Sequence, residues 1–180
     1  GKNLEVNGLG GITGQVGVIL TNPPFGAEFS GDDLINYNLF KEWAERRPKS
    51  INSELLFMER YLDWLRPGGV VCVIVPDSIL DNKGIFSDLR RSLARYFDIQ
   101  SSISLPPVTF ASAGTSTKTS VLTLRKRLDN GDRARPTYFA VCSDVGYEVS
   151  SRGAQRSIVP NGDDQLPSIL VEAIGEDQAR

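Results

Sequence analysis

Two kinds of apolar spacing alternate along this chain. Residues Val16–Thr21 read Val-Gly-Val-Ile-Leu-Thr, and residues 70–75 read Val-Val-Cys-Val-Ile-Val. Unbroken runs of this length, rich in β-branched side chains, predict strands buried on both faces of a parallel sheet. Between them Leu55, Met58, Leu62 and Leu65 recur three or four apart, which predicts a helix over 52–65 with one apolar side. Asn52 or Ser53 is placed to cap its start, and Pro67-Gly68-Gly69 to stop it. A second helix is predicted over 87–97, with Phe86, Leu89, Leu93 and Tyr96 on its buried side. Segments 99–105 and 120–124 then read as partner strands joined by a loop rich in serine and threonine, and 137–141 as a further strand. Residues 26–49 have no clear period and read as a loop with helical pieces; a loop of that length in a compact domain is usually functional or disordered. Gly146-Tyr147 reads as a turn with one anchoring ring, 150–165 as a polar loop, and 167–174 as a short helix.

This alternation predicts an α/β layer architecture, mostly parallel, with 99–105 and 120–124 as an antiparallel edge pair. One domain is expected over 1–180, with 1–15 a flexible lead-in and 150–180 a peripheral segment. Composition narrows the chemistry. Hydrophobic content of 40% and charged content of 23% are ordinary for a soluble domain. No apolar run approaches bilayer length and no basic-then-apolar leader opens the sequence, so no membrane partner and a cytoplasmic location are expected. Cys72 and Cys142 lie in apolar segments and read as reduced, buried thiols. Histidine is absent, which removes the commonest general base and zinc ligand. A Ser-His-Asp hydrolase and a zinc deaminase are excluded, and no metal is expected.

The chemistry concentrates where the first strand ends, in Asn22-Pro23-Pro24-Phe25. The exocyclic amine of adenine is a poor nucleophile because its lone pair is delocalised into the ring. Two acceptors aimed at its N–H groups return that lone pair to nitrogen. The Asn22 side-chain oxygen can be one acceptor and the Pro23 carbonyl the other. Consecutive prolines stiffen the bracket, because each fixes its own φ and restricts the residue before it. Phe25 can lie flat on the base, a stack worth about 1–3 kcal/mol. The competing account is a simple turn. The lack of histidine does not count against amine methylation, because a sulfonium leaving group needs no acid to depart.

Asn22-Pro23-Pro24-Phe25 resembles the catalytic motif of amino-methyltransferases that use S-adenosylmethionine, and the wider match is to N6-adenine DNA methyltransferases, especially the modification subunits of type I restriction–modification systems. Further segments carry the resemblance: Glu59-Arg60-Tyr61-Leu62 with Leu65-Arg66-Pro67-Gly68-Gly69, Leu105-Pro106-Pro107-Val108-Thr109-Phe110 with Gly114-Thr115 and Ser120-Val121-Leu122, Val145-Gly146-Tyr147-Glu148, and Asp164-Gln165-Leu166-Pro167. The resemblance implies the C-terminal half of a Rossmann-like methyltransferase sheet. It implies catalytic roles for Asn22, Pro23, Pro24 and Phe25, and a second stacking face from Phe110. It also implies S-adenosylmethionine as methyl donor, a flipped adenine in DNA as acceptor, and specificity and restriction subunits as partners.

Net charge is −2, which argues against an autonomous nucleic-acid binder. Basic residues nevertheless cluster at Arg46, Arg47 and Lys49, at Arg125-Lys126-Arg127 and over 133–135, while 172–177 is acidic. They are either solvated surface or phosphate contacts; Lys118, Arg46, Arg47 and Arg125 are the candidate phosphate contacts. The family's glycine-rich donor loop is not legible in the twenty-one residues before Asn22. Gly8-Leu9-Gly10-Gly11-Ile12-Thr13-Gly14 leads into a strand rather than out of one, and reads as a connection. Lys2 stands where the family often has an acidic residue, leaving Asn3 as the donor contact in that element. The start at Gly1 and the single methionine, Met58, suggest an excerpt that holds little of the donor and is inactive alone. The alternatives are a protein-glutamine or RNA amino-methyltransferase, whose motif more often carries Tyr at the position of Phe25, and a non-catalytic module that binds DNA or a partner subunit.

Overall fold

The structure is a computed structural model that describes residues 10–30, 49–128, 135–152 and 155–178. In chain order its elements are β1 (Val16–Thr21), β2 (Glu28–Ser30), β3 (Ser50–Asn52), α1 (Ser53–Trp64), β4 (Leu65–Pro76), the single turn α2 (Ser78–Asp81), α3 (Ile85–Tyr96) and β5 (Phe97–Ser104). A 3-10 segment (Pro107–Ala113), β6 (Thr119–Lys126), β7 (Tyr138–Val141), β8 (Tyr147–Arg152), β9 (Gln155–Pro160) and α4 (Leu166–Gln178) follow.

Five strands form one mixed sheet in the order β1-β4-β6-β5-β7. Four point the same way; β6 alone is reversed, antiparallel to both β4 and β5. The expected antiparallel pairing is therefore present, but it is not at an edge. β6 lies inside the sheet, and β7 is the edge strand on that side. Pairing between 99–105 and 120–124 was legible from adjacency, whereas the second partner of β6 is a long-range contact that no local pattern reports.

The two faces of the sheet carry separate cores. Val71, Val73 and Val75 of β4 share a face with Leu122 and Leu124 of β6, and pack with Leu55, Met58 and Tyr61 of α1 and Leu89 and Leu93 of α3. The smaller core gathers Leu105, Cys142, Val145 and Ile169, with Ile103, Val121 and Ala140 against it. Strand alternation puts Ile103 and Val121 on the side opposite Leu122.

Several boundaries differ from the sequence pattern. β1 pairs in parallel with β4, but it is buried on one side only: Val18 is 65% and Leu20 78% exposed. No described residue covers that face. Helix α1 stops at Trp64, because Leu65 is already extended and opens β4. Pro67-Gly68-Gly69 instead makes an irregularity inside the strand, where the pairing jumps from Val16–Leu65 to Val18–Val70. Gly69 is required there, since a Cβ would lie 2.9 Å from the carbonyl oxygens of Arg66 and Val16. Neither Asn52 nor Ser53 gives α1 a side-chain cap. Tyr96 is exposed rather than buried, with the Arg95 guanidinium 5.7 Å from its ring centroid. Within 26–49, residues Glu28–Ser30 form a strand, and within 150–165 most residues belong to the β8–β9 hairpin rather than a loop. That hairpin exposes Ile158 and Val159, so it lacks the alternation a half-buried strand shows.

Of the lead-in, residues 10–15 are described; they hold a 3-10 turn, and the Gly14 N–H donates to the Asp63 carbonyl at 2.8 Å. Cys142 is buried and Cys72 half-buried, and both are free thiols. Among the described residues no helix is long and apolar enough to cross a membrane, and no cluster of potential metal ligands occurs.

Candidate active site

β1 delivers Asn22 to the carboxyl end of the sheet, where ligands of open α/β sheets bind. Asn22 is exposed at that rim, Pro23 beside it is buried, Pro24 is exposed and Phe25 is half-buried. The strand end is tied to α1 by a hydrogen bond of 3.2 Å between the Thr21 and Tyr61 hydroxyls. Burial pushes the Tyr61 phenol above its ordinary pKa, and the Thr21 bond partly offsets that.

Beyond Phe25 the chain reverses at Gly26, whose φ of 75° is left-handed, and enters β2. β2 pairs antiparallel with β3, and β3 runs directly into α1. The first turn of α1 is thereby placed against the loop it must hold. The Ser53 N–H donates to the Ala27 carbonyl at 2.7 Å. The Ser53 hydroxyl lies 3.0 Å from the Pro24 carbonyl and 3.1 Å from Glu54 Oε2. Glu54 Oε2 also accepts the Gly26 N–H at 3.2 Å. Ser53 and Glu54 are 1% and 4% exposed. Sequence reasoning gave Ser53 only a capping role and passed over Glu54. The available signal was a Ser-Glu pair opening a helix whose next residues, Leu55-Leu56-Phe57-Met58, are apolar.

Along the rim, Asp77 follows β4. Asp77 occupies the cap position of α2, but its side chain makes no cap bond. Its N–H donates to the Lys118 carbonyl at 3.0 Å, its Oδ1 accepts the Ser120 hydroxyl at 2.9 Å, and its Oδ2 pairs with Lys118 Nζ at 3.3 Å. Asp77 also lines a cavity of about 310 Å³ with Ser102, Ser104, Ser120, Phe139 and Val141. Phe110 sits half-buried in the 3-10 segment that follows β5. The β8–β9 hairpin fixes that segment: the Tyr147 hydroxyl donates to the Thr109 carbonyl at 2.6 Å, and Arg156 Nη1 to the Ala111 carbonyl at 2.7 Å.

The basic stretch is used inwardly. Arg125 is 7% exposed and pairs at 3.2 Å with Asp98, itself 2% exposed, so it is not available to a DNA phosphate. Lys126 Nζ donates to the Leu62 and Leu65 carbonyls at 2.7 and 2.8 Å, closing the end of α1. Burial lowers the Lys126 pKa and raises that of Asp63, outweighing their mutual attraction. Arg127 Nε donates to the Phe97 carbonyl. Lys118 is exposed. Asn3, Lys2, Arg46 and Arg47 lie outside the described residues.

Comparison with known proteins places this architecture. A chain of Listeria monocytogenes assigned to the class I S-adenosylmethionine-dependent methyltransferases superposes with a TM-score of 0.62 at 20% identity, over 89% of this chain and 41% of that one. The methyltransferase subunit of a type I restriction-modification system from Streptococcus thermophilus gives 0.62 at 22% identity, over 88% and 32%. The fold is thus that of S-adenosylmethionine-dependent methyltransferases, in part. Residues 6–157 match the family described as N-6 DNA Methylase, and the chain belongs to that family. The EcoKI methylase subunit of the type I restriction enzyme of Escherichia coli K12 is 32% identical over 127 residues, which are 71% of this chain and 21% of that subunit. The chain thus spans about a fifth of the length of the type I methylase subunits it matches.

Proposed function

We propose that this chain is the acceptor side of an adenine-N6 DNA methyltransferase of a type I restriction–modification system, the part that receives and activates the target base. The observation that carries this is an exposed Asn22 at the carboxyl rim, stiffened by a buried Pro23 and followed by a half-buried Phe25. The duplex hides N6, so adenine is extruded before attack. The Asn22 carboxamide oxygen and the Pro23 carbonyl accept its two N–H bonds and concentrate the lone pair on nitrogen. Phe25 supports one face of the ring, and Phe110, carried by the 3-10 segment that follows β5, supports the other. The proton lost by the amine passes to water.

S-adenosylmethionine, which the family implies, supplies a methyl group on a positively charged sulfur. The cavity beside Asp77 is lined from the end of β4 and from β5, β6 and β7, with no residue of β1 or of Asn22–Phe25 among its walls, and it is not assigned to the donor. Acceptor binding is assigned to Asn22, Pro23, Phe25 and Phe110, and no donor contact is assigned among the described residues. DNA is the proposed substrate, the specificity and restriction subunits the proposed partners, and the cytoplasm the proposed location. Lys118 is retained as a phosphate contact.

The test is methyl transfer from labelled donor to an adenine-containing duplex by the full-length methylase subunit that carries this segment, with its partner subunits. Asn22→Ala is expected to abolish transfer while the variant still binds donor. Wild-type activity from that variant overturns the assignment. The 180-residue stretch alone is expected to give no turnover.

A further inference from the structure

Both peptide groups that flank Phe25 are held from one place. The carbonyl of the peptide before it, on Pro24, receives the Ser53 hydroxyl at 3.0 Å, and the N–H of the peptide after it, on Gly26, is received by Glu54 at 3.2 Å. A third bond, from the Ser53 N–H to Ala27, fixes the exit of the turn at 2.7 Å. With both flanking peptide planes fixed, the direction in which the Phe25 side chain leaves the backbone is fixed as well. The supporting pair is nearly sealed from water, at 1% and 4% exposure, while Pro24 and Gly26, which it holds, lie at the surface. Buried, fully engaged polar groups of this kind rigidify what they bind.

The position of Glu54 has an electrostatic cause. It is the acidic residue in the first turn of α1, where unsatisfied backbone N–H groups favour negative charge. Its burial is therefore supported by the helix end and by the Gly26 N–H together. Gly26 is the residue at which the loop reverses with a left-handed φ, so its N–H points back toward α1 only while that turn is kept. Glu54 and the turn stabilise one another.

We infer that Glu54 and Ser53 are positioning residues for the target base: they set the direction in which Phe25 leaves the backbone, and through Pro24 the orientation of the acceptor bracket. This rests on the proposed function, in which Phe25 stacks on the extruded adenine. Neither residue touches the base. A displacement of the order of 1 Å at a reacting centre costs on the order of 10²-fold in rate, so loss of this support is read in turnover rather than in donor affinity.

The experiment uses the full-length methylase subunit with its partner subunits and two duplexes: one with 2-aminopurine at the target position, whose fluorescence rises on extrusion, and one with adenine there for turnover, because 2-aminopurine lacks the N6 amine. Glu54→Ala is expected to lower the extrusion signal at saturating DNA and to lower kcat by on the order of 10²-fold, with the KM for donor unchanged. Glu54→Gln keeps an oxygen acceptor for the Gly26 N–H and is expected to restore most of both. If Glu54→Ala does not fold, Ser53→Ala, which removes one hydroxyl, is read in the same way. Normal extrusion and normal kcat at a lowered melting temperature would show support of the fold alone and overturn the inference. Asn22→Ala is run beside them. If it retains transfer, the proposed function fails; if it is inactive while the Glu54 and Ser53 variants extrude and turn over normally, only this inference fails.

Discussion

Asp98 and Arg125 stand directly opposite one another on β5 and β6, joined at 3.2 Å inside the sheet. The Arg135 N–H donates to the other carboxylate oxygen of Asp98 at 3.1 Å. Removing one member of such a pair strands a charge away from water, at a cost of about 3–5 kcal/mol. Arg125→Ala is expected to lose about that much stability in a urea titration. The salt dependence of DNA binding should keep its slope, because Arg125 neutralises no phosphate. A slope reduced by about one ion would return Arg125 to the DNA interface.

The Thr21–Tyr61 bond predicts behaviour in alkali. Tyr61 is held neutral by burial, so its folded pKa lies above its unfolded value near 10. The folded state then binds more protons than the unfolded state once the pH passes that unfolded value, and stability falls as pH rises. The contribution is complete below about pH 10 and is lost toward the raised folded pKa. Tyr61→Phe is expected to flatten the decline in stability above about pH 10, seen in denaturation midpoints across that range. An unchanged slope would show that another group governs it.

Tyr147 reaches from the hairpin to the segment bearing Phe110, at 2.6 Å from the Thr109 carbonyl. Tyr147→Phe removes that bond alone and is expected to cost about 1 kcal/mol in stability. If Phe110 stacks on the base, the same change loosens its support. Affinity for a duplex with an adenine target should then fall several-fold, while affinity for the same duplex with an abasic target changes little. Equal losses on both duplexes would remove Phe110 from the base site.

Gly69 sits where two carbonyl oxygens approach the strand irregularity, and a methyl group there meets both at 2.9 Å. Gly69→Ala is expected to destabilise by about 1–3 kcal/mol, as overpacking does, and to disturb the pairing of β1 with β4. Calorimetric melting checks the first. Weaker amide-exchange protection at Val18 and Ile19 checks the second.

The parts of this fold legible in the sequence were those fixed by local repetition. The period of Leu55, Met58 and Leu62 found α1, and the run from Val70 to Val75 found the core of β4. What local pattern missed depends on distant chain. β1 looks two-sided in sequence because Val18 and Leu20 are apolar, yet their face is open among the described residues. Arg125 to Arg127 looks like a phosphate stretch because charge is visible in sequence and burial is not. The bracket proposed at Asn22–Phe25 is argued from proline chemistry, which is local, whereas the hydrogen bonds of that loop to Ser53 and Glu54 join residues 29 and 28 positions apart. No spacing rule reports that.

An uncapped strand with greasy side chains facing water is a template for illegitimate neighbours. Val18 and Leu20 occupy that situation on β1, whose backbone pairs with a described strand on one flank only. Edges of this type recruit further strands from other molecules unless something shields them. Produced by itself at high concentration, this stretch should oligomerise through β1, and a lysine at position 20 should keep it dispersed.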